Sequence, residues 1–329
     1  IQPLVARLSK RSDYHTRRNQ IKEYNAENNI LKRGISLTPV KFGISFTVQY
    51  LNQAGALIHI YTDGSVQLNH GGTEMGQGLY TKVQQIVAKV LQIDMAQITC
   101  TATRTDKVPN TSPTAASSGS DLNGMAAMEA AQTLKDRLIA FAVTHFGVTA
   151  DSIVFKNGSI YMPNQTVTFP ELVRLAHRGR ISLSATGYYR TPKIHYDRKS
   201  GTGRPFFYFA YGAAVTEVVI DTLTGEYQVL QVDICHDVGD SLNTALDIGQ
   251  IEGGFVQGMG WLTTEELIWD DEGCLLTNGP ATYKIPTSGD IPTELNVELF
   301  PNSPNTEATI FHSKAVGEPP LMLGISVWT

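Results

Sequence analysis

From Phe206 the chain alternates over an unusually long stretch, with Phe207, Phe209, Tyr211, Ala213, Val215, Glu217 and Val219 on one parity and Ala214, Thr216, Val218 and Ile220 on the other. Successive strand residues point to opposite faces, so a run this long commits the segment to extended structure. Thr222-Leu223-Thr224-Gly225 then turns it back through Tyr227 to Ile234. Strands joined by so short a turn pair antiparallel, which excludes a purely parallel doubly wound sheet. The prediction is an α+β fold in which mixed and antiparallel sheets pack against helices.

The remaining elements follow from local pattern. Residues 1–33 carry clustered charges over a weak helical repeat with Leu4, Leu8 and Ile21, and read as a surface helical arm that Gly34 closes. Extended structure is expected from Ile35 to Thr47 and over Ala56–Tyr61, with Thr62-Asp63-Gly64-Ser65 as a hairpin turn back through Val66-Gln67-Leu68. Asn157-Gly158, between Ile153-Val154-Phe155 and Ile160-Tyr161-Met162, is the strongest short hairpin signal, and Thr168-Phe169-Pro170-Glu171 opens a short helix. A further strand–turn region is expected from Cys274 to Ile285. The expected organisation is a connecting arm over 1–34, a main body over 35–329 with an accessory α/β part at about 144–180, and a subdomain boundary near 181–206.

Three segments carry unusual local chemistry. His70-Gly71-Gly72-Thr73-Glu74-Met75-Gly76-Gln77-Gly78 feeds a helix in which Leu79, Val83, Ile86, Val87, Val90 and Leu91 recur at helical spacing. The free backbone donors of such a helix start suit an anion or ligand carbonyl groups, and the Gln77 amide can both donate and accept; a glycine-rich helix start without a ligand is the alternative. Neither the dinucleotide GxGxxG spacing nor a phosphate-loop GKS or GKT is present. Residues 110–120 are small, polar and almost uncharged, and read either as a linker or as a second loop that binds a flat polar ligand together with the Gln77 turn. Residues 245–260 hold five glycines that would each cost an isolated helix roughly 1 kcal/mol relative to alanine, which close approach by another helix or a ligand would explain; Gln250 and Gln257 share one of its faces.

In His312-Ser313-Lys314-Ala315-Val316-Gly317-Glu318-Pro319-Pro320 a lone carboxylate sits between apolar segments. Pro319 biases Glu318 away from the helical region, and Gly317 permits close backbone approach. Glu318 reads as the cap of a helix starting near Pro319, as a carboxylate solvated in a turn, or as a catalytic base. Composition narrows the choice of chemistry. A net charge of -5 gives no nucleic-acid footprint, and three widely spaced cysteines form neither a disulfide framework nor a CxxC site, which fits a reducing, cytoplasmic compartment. The histidines are scattered without metal-ligand spacing, and no serine stands in a GxSxG elbow. No apolar run reaches the roughly 18 residues of a membrane span. The low charged fraction, 17%, with 29 glycines suggests backbone packed against backbone, ligand or another subunit, and the absence of an initial methionine or a polar tail suggests a piece of a longer polypeptide.

What remains is a set of neutral donors around a cofactor with Glu318 as the pointed carboxylate. At this point the sequence resembles the molybdenum-binding part of the xanthine dehydrogenases, within the xanthine oxidase and aldehyde oxidase family of molybdenum hydroxylases. The resemblance lies in KFGISFTV at 41–48, LNQAGAL at 51–57, YTDGSV at 61–66, HGGTEMGQG at 70–78, VPNTSPTAAS at 108–117, LSATGYYRTP at 183–192, DIGQIEG at 247–253, ATYKIP at 281–286 and SKAVGEPPL at 313–321. These cover nearly the whole chain in order. GTEMGQG and GEPP are shared with aldehyde oxidases, whereas KFGISFTV, LNQAGAL and TGYYRTP resemble xanthine dehydrogenases more specifically.

The resemblance implies an incomplete molybdopterin-binding domain of the aldehyde oxidoreductase type. Contacts to molybdenum–molybdopterin, as the plain pterin or its cytosine dinucleotide, would fall on Met75, Gly76, Gln77, Ala115, Ala116, Ser117 and Gln250, with no protein side chain ligating the metal directly. Family enzymes have a further serine two positions beyond the match to Ser117; here Gly119 stands there, and that contact is not carried over. Phe46 would be one of two aromatics enclosing a purine, with Thr47 beside it and Glu318 as general base. The implied reaction is hydroxylation of hypoxanthine to xanthine and xanthine to urate, with water as oxygen source and NAD as final acceptor. Action on aldehydes or other N-heterocycles, and a noncatalytic cofactor-binding fragment, are the alternatives. The FAD domain, two 2Fe–2S clusters and the other molybdenum-binding half would belong to other segments or subunits, the complete units would form dimers, and this chain alone would not turn over purine.

Overall fold

A computed structural model describes residues 1–329. Its helices are α1 (Gln2–Arg11), α2 (Tyr14–Glu27), α3 (Leu79–Leu91), α4 (Gly119–Phe146), α5 (Phe169–Arg178), α6 (Thr244–Thr263) and α7 (Ile325–Trp328). The strands of the first half are β1 (Leu31–Ile44), β2 (Gln53–Ile60), β3 (Val66–His70) and β4 (Ile98–Cys100), followed by β5 (Val154–Lys156), β6 (Ser159–Met162) and β7 (Gln165–Thr168). Then come β8 (Ser184–Arg190), β9 (His195–Asp197), β10 (Thr202–Arg204), β11 (Tyr208–Asp221), β12 (Tyr227–Asp237) and β13 (Glu294–Leu299). The chain divides into two compact units, one formed by 1–44 with 208–329 and the other by 45–207.

In the discontinuous unit the alternating run is β11, paired antiparallel with β12 from Tyr211 opposite Asp237 to Ile220 opposite Tyr227, with a register shift at Glu217/Val218. β1 pairs antiparallel with β11 along its whole length and β13 pairs parallel with β12, giving the order β1-β11-β12-β13. The expected long hairpin therefore forms the centre of a mixed sheet. Both faces of that sheet are covered. Leu4 and Leu8 of α1 bury against Ala213, Val215 and Cys235, while Ile251, Phe255 and Met259 of α6 bury against Ala214, Val232 and Ile234. The basic N-terminal segment is thus helical as expected, but its apolar stripe seals one side of the sheet. Its helices end at Glu27, and Gly34 lies within β1 opposite Val218. Strand pairing with β11 decides this over the local glycine signal. The expected strand–turn region from Cys274 to Ile285 forms no regular strand; its contribution is one bridge between Trp269 and Leu275.

The continuous unit is built on the sheet β4-β3-β2-β8, in which β2 pairs antiparallel with β3 and β8, and β3 pairs parallel with β4. The turn between β2 and β3 is fixed by Asp63, whose Oδ1 accepts from the Ser65 amide at 2.9 Å, and by Gly64 at φ +88. Helices α3 and α4 bury Val83, Val87, Ala126, Ala127, Ala130 and Leu134 against Ile58 and Leu68. The glycine of β8, Gly187, permits this approach, since a Cβ there would lie 2.0 Å from the Ala126 carbonyl oxygen. The accessory hairpin occurs where Asn157-Gly158 predicts it, with both residues at positive φ, 49 and 75. Thr168 and Glu171 form a reciprocal cap on α5, and Ile160, Phe169, Leu172 and Val173 join the same core as Leu134 and Leu138. The architecture is the expected α+β arrangement of mixed and antiparallel sheets with packed helices.

Candidate functional site

The residues singled out by sequence fall in both units. In the continuous unit the glycine-rich turn leads into α3 as expected, but several of its backbone donors are used within the turn. Glu74 Oε1 accepts from the amides of Gly76 at 2.9 Å and Gly78 at 3.0 Å, and Oε2 accepts from Tyr80 at 2.9 Å. The expectation of donors open to an anion is therefore narrowed: a carboxylate of the same turn takes three of these amides, one of them at the start of α3, through charge-assisted bonds supported by the helix dipole. Gln77 folds onto the same turn, its Nε2 donating to the Thr73 carbonyl at 2.8 Å and its Oε1 accepting from the Met75 amide at 2.6 Å. Met75 is 68% exposed, and Gly76, at φ +102, has open space where a side chain would be. The tip of the turn is thus the Met75 side chain beside the bare backbone of Gly76, on a fixed frame.

Beneath the turn, His70 Nδ1 accepts from the Gly72 amide at 3.1 Å. The neutral ring then carries its proton on Nε2, which lies 3.4 Å from Cys100 Sγ. Burial lowers His70 to about 4 and pushes the Cys100 thiol up to about 12, so this pair is a structural support without a reactive thiolate.

Residues 108–118 are a packed loop, which removes the linker reading. Thr114 Oγ1 accepts from the Thr73 amide at 2.9 Å, and Ser112 Oγ donates to the Gln53 carbonyl at 3.3 Å. Side chains at Gly71 and Gly55 would come within 2.4 Å of Thr111 and 2.6 Å of Pro109. Two loops separated in sequence are therefore joined edge to edge. Ala116 and Ser117 both adopt left-handed backbone, φ 54 and 53, a conformation that non-glycine residues hold in sequence only where the surroundings impose it. Phe46 and Thr47 lie in a loop closed by the buried Asn52. Asn52 Oδ1 accepts from the Phe46 amide at 2.8 Å and its Nδ2 donates to the Phe46 carbonyl at 2.9 Å. Asn52 and Glu74 are positioning residues that sequence reading missed; neither has a spacing that marks it, because each acts on backbone brought to it by the fold.

In the discontinuous unit, Gln250 and Glu318 are borne by elements that pack against each other. Pro319–Gly324 forms a 3-10 helix that lies on α6 so closely that a Cβ on Gly258 would sit 2.0 Å from the Leu321 carbonyl oxygen, and one on Gly254 3.0 Å from Pro320. This close approach accounts for Gly254 and Gly258. Gly249 and Gly253, flanking Gln250 along the helix, have nothing within 4 Å of their Cβ positions. Glu318 is the N-cap residue of the 3-10 helix, yet its side chain makes no cap hydrogen bond there, so the capping reading holds for its position and not for its carboxylate. Its backbone is right-handed helical, φ -101 and ψ -34, against the extended bias expected before proline; the packed turn that follows overrides that bias.

Comparison with known proteins agrees with this fold. The family described as "Molybdopterin cofactor-binding domain" matches residues 7–292. The chain is 50% identical over 317 residues to xanthine dehydrogenase/oxidase of Felis catus and 49% identical over 324 residues to xanthine dehydrogenase of Dictyostelium discoideum. These alignments cover 96% and 98% of the chain but 22% of each relative, so the chain spans about a fifth of the curated relatives it matches. Quinoline 2-oxidoreductase of Pseudomonas putida 86 superimposes with TM-score 0.83 at 23% identity, over 99% of this chain and 42% of that one. Aldehyde oxidoreductase of Desulfovibrio desulfuricans superimposes with TM-score 0.74 at 22% identity, over 96% of this chain and 31% of that one.

Proposed function

Because the chain belongs to the molybdopterin cofactor-binding domain family, we propose that it forms the C-terminal part of the molybdenum-binding region of a purine hydroxylase. The complete enzyme oxidises hypoxanthine to xanthine and xanthine to urate with NAD as final acceptor. The observation that carries this reading is the 50% identity to a xanthine dehydrogenase/oxidase along 96% of the chain.

The residues present fit the cofactor. Its polar, flat ring system and phosphate call for neutral hydrogen-bonding groups and bare backbone: Gly76 and Ala115-Ala116-Ser117 offer the backbone, Gln250 an amide, and Gln77 a second amide by exchanging its bonds to Thr73 and Met75 for the ligand. When bound, the molybdenum–molybdopterin group supplies the two-electron oxidation, with water as the source of the inserted oxygen. Phe46, held through its backbone by Asn52, stacks one face of the purine, and Thr47 offers a hydroxyl at its edge. Glu318 accepts the proton released as oxygen is transferred. Because this interaction is made in the reaction and not in the ground state, Glu318 contributes to turnover far more than to purine binding. The FAD domain, the two 2Fe–2S clusters and the other molybdenum-binding half belong to the rest of the assembly, which works in the cytoplasm as a dimer of complete units.

The test uses the copurified native assembly: molybdenum and pterin content, then xanthine-dependent NAD reduction for wild type and Glu318→Gln. Turnover in wild type, falling by at least about 10²-fold in Glu318→Gln at equal molybdenum content and nearly equal KM, is expected. Equal turnover in both removes Glu318 as the base. A molybdenum-loaded wild type that oxidises quinoline or an aldehyde but not purine moves the substrate assignment.

A further inference from the structure

We propose that Asp237 and Lys314 are positioning residues for Glu318, a buried ion pair that fixes how the carboxylate is presented. The inference rests on reading Glu318 as the proton acceptor and assigns to two further residues the task of holding it.

Asp237 is the last residue of β12, and Lys314 stands four positions before Glu318. Lys314 Nζ donates to Asp237 Oδ2 at 2.5 Å and to Ser303 Oγ at 3.3 Å. Ser303 Oγ donates to the same Asp237 oxygen at 3.1 Å, while Oδ1 accepts from the Gly239 amide at 3.0 Å. The two charged side chains are 11% and 6% exposed. The backbone repeats the attachment: the Lys314 amide donates to the Val238 carbonyl at 2.8 Å and the Ala315 amide to Tyr208 Oη at 2.9 Å. Gly239, at φ +65, lets the two segments touch, since a Cβ there would lie 2.4 Å from the His312 carbonyl oxygen.

Glu318 is therefore bracketed. Before it, the ion pair and Val316, 5% exposed, fasten the segment to the sheet; after it, Pro319 and Pro320 are buried on α6. Between the two fixed points lies Gly317, the residue most able to let the carboxylate swing. A buried ion pair is a poor device for stability alone, because apolar residues of equal volume commonly do as well or better. What it adds here is direction, since Asp237 accepts from one cation through one oxygen while the other is fixed by backbone. Placement of a reacting group is sensitive enough to use that: an error of about 1 Å can lower turnover by about 10²-fold.

The experiment compares the assembled, molybdenum-loaded enzyme in wild type, Glu318→Gln, the paired apolar variant Asp237→Leu with Lys314→Met, and the conservative Lys314→Arg. In the paired variant the melting temperature and molybdenum content are expected to stay near wild type and KM within about 2-fold, while kcat per molybdenum falls by about 10- to 100-fold. Amide exchange at Lys314 and Ala315 speeds up with α6 unchanged, and Lys314→Arg recovers part of kcat. If the paired variant does not assemble, Ser303→Ala and Asp237→Asn carry the same readouts. Wild-type kcat per molybdenum in the pair variants beside an inactive Glu318→Gln overturns the positioning role alone. An active Glu318→Gln overturns the reading on which it rests.

Discussion

Glu74 shows how one side chain can decide what a glycine-rich turn is able to do. Its two oxygens take three amides of the turn and of the first residues of α3, so the turn is braced from within and presents Met75 and Gly76 outward, with the Gln77 side chain folded back on it. Glu74→Ala is expected to lower stability by about 1–2 kcal/mol, as for loss of a helix cap with several donors, and to reduce molybdenum incorporation because the turn loses its frame. Thermal denaturation and metal analysis of the purified variant check both; unchanged molybdenum content would show that the turn does not need this carboxylate. Gln77 was legible from its place in the turn. Glu74 was not, because a carboxylate near a helix start is as often solvated as bonded.

Element by element, α6 carries the clearest contrast. Its glycines look alike in sequence, yet Gly258 is pressed against the Leu321 carbonyl while Gly253 faces open space. Gly258→Ala is expected to destabilise by about 2–3 kcal/mol or more through overpacking, and to disturb the segment bearing Glu318. Gly253→Ala is expected to raise stability of the chain by up to about 1 kcal/mol, the helix-propensity difference. Thermal denaturation of the two variants side by side tests the packing directly, and equal effects would contradict it. The pattern of glycines was sufficient to expect a close neighbour. Which glycines meet it, and that the neighbour is the turn after Glu318, depended on contact between segments far apart in the chain.

For the molecule as a whole, each unit holds a buried neutral histidine that sets a limit in acid. His236 is fully buried beside Gly212, neither ring nitrogen has a hydrogen-bond partner, and burial lowers it from 6.5 to about 4; His70 in the other unit is lowered to about 4 for the same reason. Well above pH 6.5 neither folded nor unfolded chain protonates these rings appreciably. As the pH falls from about 6.5 to about 4 the unfolded chain takes up protons that the folded chain refuses, so stability falls, by roughly 3 kcal/mol per histidine at most. Melting temperature is expected to drop across that window, and His236→Leu to flatten the drop and raise the melting temperature at pH 7, since two unsatisfied nitrogens leave the core. An unchanged pH profile in His236→Leu would show that this ring is not responsible.

What the sequence determined by itself was local or repetitive: the alternation that made β11 and β12, the Asn157-Gly158 hairpin, the glycine-rich entry to α3, and the motifs that marked the molybdopterin-binding family. Each is written in neighbouring residues, through backbone preference or the period of side-chain direction. Tertiary structure alone decided that Leu4 and Leu8 seal a sheet, that Thr114 meets the turn at Thr73, and that Asp237 reaches Lys314. Those contacts join residues whose separation along the chain carries no periodic signal, and their energies exist only once burial has removed water from between them.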